Sequence, residues 1–197
     1  QIANISETEA ITFTSSIVTQ STLAREFCSS KIFQRIVHDV LNVPDVRLYH
    51  DQAVYKKPCP GRSFPFHQDN GYTFVEPQQY LTCWVALTDA TPENGCPWIA
   101  PGQHLQGTLA HEWTPLGFKC LHNTPKNAQV MSLPAGSIAV FSSLTPHRTG
   151  PNLTAGTRKA YILQYAPDGA LVYSSDGVLE PANDARRQFR MPLVERR

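Results

Sequence analysis

The chain predicts a mainly β fold, a double-sheet β architecture with flanking helices, on three observations. Short runs of period-two alternation recur from Val46 onward, turns rich in Pro and Gly separate them, and helical spacing marks the stretch before Val46. Many short strands joined in this way close most simply as two packed sheets.

Residues 1–45 read as a mostly helical buttress. Ile32, Phe33, Ile36, Val37, Val40 and Leu41 recur at helical spacing, with Ser29 and Ser30 as possible caps and Asn42-Val43-Pro44 as a stop. From Val46 the period changes to two: Leu48, His50, Gln52, Val54 and Lys56 alternate with Tyr49, Asp51, Ala53 and Tyr55. The loop Pro58-Cys59-Pro60-Gly61 then leads to a strand that carries His67 and Asp69. Residues two apart on a strand share a face, so these two side chains can point the same way. In Tyr80 to Thr88, Leu81, Cys83, Val85 and Leu87 form one face. Thr82 and Trp84 fall on the other, where they can line a cavity. Ser137 to Ser142 follows the turn Pro134-Ala135-Gly136 as another strand, and the alternation beginning at Arg158 places that arginine at a strand start facing the same interior. Residues 46–170 thus form the β core and 171–197 a C-terminal extension of a single domain, 1–197, a length that supports one substantial core.

Composition narrows the function classes. A net charge of +1 with 17% charged residues leaves no basic footprint for nucleic acid and no acidic tail, so no polyanionic partner is expected. Lys56, Lys57 and Arg62 read as a solvated edge. No apolar run is long enough for a membrane helix, and Gln1-Ile2-Ala3-Asn4 lacks the pattern of a signal peptide, which makes a cytosolic location the expectation. Cys28, Cys59, Cys83, Cys96 and Cys120 are odd in number and contain no Cys-x-x-Cys pair, against both a disulfide framework and a structural zinc site.

Chemistry concentrates in His67, Asp69 and His147. Two imidazoles and one carboxylate can bind a redox metal from one side and leave the other open, an arrangement typical of non-haem Fe(II) oxygenases, although zinc and manganese also accept such donors. Alone, His-x-Asp is a weak signal. Its surroundings strengthen it: Phe66-His67-Gln68-Asp69-Asn70-Gly71-Tyr72, Glu93-Asn94-Gly95-Cys96, Pro101-Gly102-Gln103-His104 and the segment His147 to Arg158 occur in order. Through these motifs, residues 64–166 resemble the phytanoyl-CoA dioxygenase family of Fe(II)/2-oxoglutarate oxygenases.

The resemblance implies a double-stranded β-helix, the jelly roll of cupin type. It implies that His67, Asp69 and His147 bind Fe(II), that Arg158 and Thr149 hold the distal carboxylate of 2-oxoglutarate, and that Gln52, Gln68 and Trp84 line the cosubstrate site. The reaction implied is O2-dependent oxidation, normally hydroxylation, of a C–H bond in a small organic or natural-product-like molecule, with release of succinate and CO2. Desaturation, epoxidation and ring closure use the same cofactors, whereas the carboxylate of Asp69 fills the position a halide would need. Two other readings use the same residues: a zinc hydrolase, which Arg158 and Thr149 argue against, and a non-catalytic jelly-roll binding protein. For substrate contact the expected residues are Asn70, Tyr72, His111 and Trp113, the last two in a covering loop. His104 is expected to fix a loop or border the pocket rather than bind metal, His38 and His122 to lie at the surface, and His50 to be a core histidine near the pocket.

Overall fold

A computed structural model of the chain describes residues 4–8, 10–78, 80–173, 176–182 and 190–191. Two strands come first, β1 (Asn4–Thr8) and β2 (Ile11–Ser15), then helices α1 (Thr22–Cys28) and α2 (Lys31–Leu41). The following elements are β3 (Val46–Lys56), β4 (Phe64–His67), a single helical turn α3 (Asp69–Tyr72), β5 (Val75–Glu76), β6 (Leu81–Ala86) and β7 (Pro97–Ile99). A hairpin of β8 (Glu112–Thr114) and β9 (Gly117–Lys119) precedes β10 (Gln129–Val130), β11 (Ile138–Ser142), β12 (His147–Thr149) and β13 (Arg158–Pro167). Short strands β14 (Leu171–Tyr173), β15 (Leu179–Pro181) and β16 (Arg190–Met191) complete the described chain; the remainder of the 171–197 extension lies outside the described residues.

The strands pair antiparallel into a major sheet, β1-β2-β3-β13-β6-β11 with β16 also on β3, and a facing sheet, β10-β7-β12-β4. The outer face of the major sheet packs on the helices: Leu48, Cys83, Val85, Tyr161, Leu163 and Tyr165 meet Cys28, Phe33 and Val37 in one buried cluster. Each such large side chain contributes about 1.5–3 kcal/mol by leaving water. The inner faces of the two sheets enclose a cavity of about 730 Å³. This is the jelly-roll arrangement expected.

Two details depart from expectation. Residues 1–45 are not led by helix: β1 and β2 precede it, and β2 extends the major sheet so that Ile11 and Phe13 reach the cavity wall. Ile11-Thr12-Phe13-Thr14 is β-branched and alternating, which is strand chemistry. On β3 the parity also breaks once. Leu48 pairs with Tyr165 and His50 with Gln164, so Tyr49 is an extra residue, a bulge. Before it Val46 and Leu48 face the helices; after it Asp51 and Ala53 do, and His50, Gln52 and Val54 turn into the cavity. Helix α2 ends as its sequence suggests, with Asn42 left-handed (φ 53°) and its N–H donating to the His38 carbonyl.

Candidate metal centre

His67 ends β4 and His147 begins β12, and the two strands pair so that these residues stand directly opposite. Directly opposed side chains on one face of an antiparallel pair are close neighbours, and here the ring centroids lie 4.3 Å apart. Each Nδ1 faces a carbonyl, Pro65 O at 2.9 Å and Thr145 O at 3.0 Å. A carbonyl only accepts, so Nδ1 carries the proton in both rings and each Nε2 presents a lone pair. Burial, and then the neighbouring His147, push the imidazolium of His67 down to about 4, so its Nε2 is free of a competing proton at neutral pH.

Asp69 reaches the same place by another route than expected. β4 stops at His67, Gln68 stays extended (φ −103°, ψ 141°), and Asp69 opens the turn α3. One extended residue between the two ligands preserves the alternation that brings them together. Asp69 Oδ1 lies 3.5 Å from His147 Nε2 and 3.9 Å from His67 Nε2. Donors bound at about 2.1 Å and at right angles sit about 3 Å apart, so a small contraction seats a metal. The other oxygen, Oδ2, accepts a 2.6 Å hydrogen bond from Thr82 Oγ1. That bond holds the carboxylate to a single outward oxygen. Among the described residues this is the one group of three or more His, Cys, Asp or Glu side chains with metal-binding spacing. We expect Thr82→Val to weaken metal affinity about 10- to 100-fold by freeing Asp69 to rotate, measured by competition with a chelator of known affinity.

Arg158 borders the same cavity, 2% exposed, with its guanidinium carbon 5.2 Å from the centre of the Trp84 ring. Its Nε and Nη1 have no hydrogen-bond partner. Burial lowers its pKa only to about 10, so it stays charged. A buried cation with unsatisfied donors is costly unless an anion meets it, and a carboxylate can take both donors of the fork. Thr149 lies on β12 two residues past His147, and Thr149, Trp84 and Gln52 all line the cavity. Gln52 Nε2 donates to Ser15 Oγ at 2.9 Å.

Of the remaining expected site residues, Tyr72 and Trp113 line the cavity, and Gln68, Asn70 and His111 do not. Gln68 alternates to the face opposite His67 and Asp69; fully buried, it donates to the Gly107 and Leu144 carbonyls and accepts from Leu109 N–H. Asn70 is buried behind the turn, donating to Thr108 Oγ1 and accepting from Val75 N–H. His111 packs on Gly71, where any Cβ would overlap its ring, and accepts the Gln68 N–H. These three brace the metal turn against the loop that follows β7. The expected covering loop is the β8–β9 hairpin, tied across by Lys119 and Glu112 at 2.9 Å. Gly117 there has φ +107° and lies so close to the Tyr72 hydroxyl that no side chain fits, while that hydroxyl accepts the Phe118 N–H.

Other histidines divide. His50 lines the cavity and His122 is exposed. His38 is half-buried rather than at the surface, its ring nitrogens 3.2 and 3.1 Å from the Val43 and Met191 carbonyls, because β16, paired with β3, brings Met191 beside it. His104 sits in a 3-10 turn, Gln103–Gln106. Residues that sequence reasoning missed include Phe141, whose ring centroid is 4.8 Å from that of His147, and Phe13 and Phe64, which extend the apolar wall. Lys56 is also buried, 0% exposed, not at a solvated edge; it is the last residue of β3, flanked by β2 and β13, and its Nζ donates to the Gly150 carbonyl.

Comparison with known proteins bears on this geometry. The family model described as phytanoyl-CoA dioxygenase matches residues 3–160. The phytanoyl-CoA dioxygenase of Arabidopsis thaliana is 26% identical over 145 residues, 71% of this chain and 51% of that protein. A methylphosphonate hydroxylase of Gimesia maris is 34% identical over 122 residues, covering 60% and 44% respectively. The chain thus spans about half the length of the curated relatives it matches. Among solved structures, EvdO2 from Micromonospora carbonacea var. aurantiaca complexed with 2-oxoglutarate is 27% identical, with a TM-score of 0.63 over 83% of this chain and 68% of that one.

Proposed function

The chain belongs to the phytanoyl-CoA dioxygenase family, and from that premise we propose that it is a non-haem Fe(II)/2-oxoglutarate-dependent oxygenase acting on a C–H bond of a small, largely apolar organic molecule. The observation that carries this reading is the pairing, in one cavity, of a three-donor metal site with a buried guanidinium that has unsatisfied donors. A zinc hydrolase would need the first and leave the second uncompensated. A binding protein with a degenerate centre would have no reason to keep both histidines in the metal-binding tautomer.

Bound together, Fe(II), 2-oxoglutarate and O2 supply the oxidising power, with succinate and CO2 as the spent products. The protein's part is positional. His67, Asp69 and His147 would hold the metal from one side, with the cavity on the other. Thr82, bonded to Oδ2, would leave Asp69 one oxygen for the metal, while Arg158 and Thr149 would hold the far end of the 2-oxo acid. Ile11, Phe13, Phe64 and Phe141 exclude water and favour an apolar substrate; Tyr72 and Trp113 stand at the mouth, Trp113 being 69% exposed. Hydroxylation is the outcome we assign. Five unpaired thiols support a reducing, cytosolic setting, and no described helix is long and apolar enough to cross a membrane.

The test is anaerobic incubation with Fe(II), 2-oxoglutarate and a metabolite library, then admission of oxygen and mass spectrometry for products heavier by one oxygen atom. Absence of both product and succinate across the library would contradict the proposal. Specificity is expected to reside at the mouth. Tyr72→Ala and Trp113→Ala should weaken substrate binding or move the oxidised position while conversion of 2-oxoglutarate to succinate continues. Measuring succinate and product together checks this, and two variants with native affinity and product distribution would relocate the specificity surface.

A further inference from the structure

Lys56 and Arg158 stand directly opposite each other on β3 and β13. Both are buried, 0% and 2% exposed, and among the described residues neither forms an ion pair with an acidic side chain. Like charges directly opposed across two strands are destabilising, and burial magnifies the cost. Arg158 lines the cavity directly and Lys56 lies behind it, touching the lining residues Thr149 and Phe64, so an anion in the cavity would offset the charge of both.

We infer that Lys56 is a positioning residue of the cosubstrate anchor, acting through Thr149, and that its charge state is coupled to binding of 2-oxoglutarate. The inference rests on the oxygenase reading above. Nζ donates to the Gly150 carbonyl and, at 3.4 Å, to Thr149 Oγ1. With that oxygen accepting from the lysine, the Thr149 hydroxyl proton is free to donate into the cavity toward a carboxylate. Surrounding parts hold this geometry. Gly95 (φ +82°) lies against the Gly150 carbonyl, so close that no Cβ fits, and Asn152 Nδ2 holds the Lys56 carbonyl at 2.9 Å. The motif around Gly95 thus braces the acceptor that Lys56 uses.

The groups facing Nζ make it titrate near neutrality. Phe64 of β4 offers an aromatic face 5.9 Å away, and Ile11 of β2 is the other cross-strand neighbour. The ionisable neighbours are Arg158 of β13 and Cys59 of the following loop. Burial, and then Arg158, lower the lysine to about 7. An incoming dianion favours the ammonium and raises that value. Between the two values binding takes up a proton, so affinity is fullest below about pH 7 and falls as pH rises.

The experiment is anaerobic calorimetric titration of the Fe(II)-loaded protein with 2-oxoglutarate from pH 6.5 to 9, in buffers of different ionisation enthalpy. The wild type should lose affinity as pH rises, approaching about tenfold per pH unit, with uptake of about one proton per cosubstrate near pH 8. Lys56→Met should bind about tenfold more weakly at pH 6.5 and lose that proton uptake. Lys56→Arg, charged throughout, should bind better than Lys56→Met with a flat profile, and it serves equally if the methionine variant does not fold. A flat wild-type profile, or the wild-type slope retained in either variant, overturns the inference. Failure of the wild type to bind 2-oxoglutarate at any pH would instead reject the oxygenase reading on which it rests.

Discussion

Asp69→Ala is expected to abolish turnover and remove most of the iron affinity while the protein stays folded. Asp69 is the sole carboxylate of the donor set, and its Oδ1 lies within 3.9 Å of both imidazole Nε2 positions. Nothing nearby replaces it, since Tyr72 and Thr82 offer only neutral hydroxyls. The turn itself is held by backbone bonds, such as Gly71 N–H to Gln68 O at 3.0 Å, and by the buried amide of Gln68. The fold should therefore survive the change. Loss of a ligand should exceed the roughly 10- to 100-fold penalty expected for its hydrogen-bond partner Thr82. His67→Ala and His147→Ala should behave alike. Metal analysis after gel filtration, succinate release and a thermal melt on the same samples check the three parts separately. Full iron occupancy with full activity in any one variant would remove that residue from the centre.

Arg158→Ala should leave iron in place and weaken 2-oxoglutarate about ten- to more than a hundredfold, the equivalent of roughly 1.5–3 kcal/mol for a lost charge-assisted contact. The change should not disturb the metal, because Arg158 lies on β13 of the major sheet, whereas His67 and His147 lie on β4 and β12 of the facing sheet and Asp69 in the turn α3. Arg158→Lys should recover only part of the affinity, a point charge replacing a planar fork. The substitution also separates a like-charged buried pair, so the cosubstrate-free variant should melt no lower than wild type. An unchanged 2-oxoglutarate dissociation constant in Arg158→Ala would mean that another residue anchors the cosubstrate.

Much of this was legible in residue patterns, for reasons that particular residues make plain. Alternation from Leu81 to Ala86 sorted Cys83 and Val85 to the helices and Thr82 and Trp84 to the cavity, because a strand buried on both faces still keeps its period. The same rule, followed strictly, puts Gln68 on the face opposite His67 and Asp69, whereas the family resemblance implies a place at the cosubstrate. Lys56 is buried although its charge suggests the surface, because the parity of Gln52 and Val54 carried one step further keeps it on their face of the sheet. Two features left no local trace, and a third left one that is easily overlooked. The bulge at Tyr49 has no glycine to announce it. The pairing of His67 with His147 joins strands eighty residues apart, which spacing along the chain does not encode. Phe13 reaches the wall because β2 adds to β3, and Ile11-Thr12-Phe13-Thr14 carries the β-branched alternation of a strand beside the stronger period of α2.

The most direct test of the central claim is an anaerobic optical titration of the Fe(II)-loaded protein with 2-oxoglutarate, since a 2-oxo acid chelating ferrous iron produces a visible absorbance band that neither partner has alone. A band that saturates at one equivalent in the wild type, is absent in Asp69→Ala, and needs far more 2-oxoglutarate in Arg158→Ala is the predicted result. Iron bound at His67, Asp69 and His147 with no band at any 2-oxoglutarate concentration would contradict it.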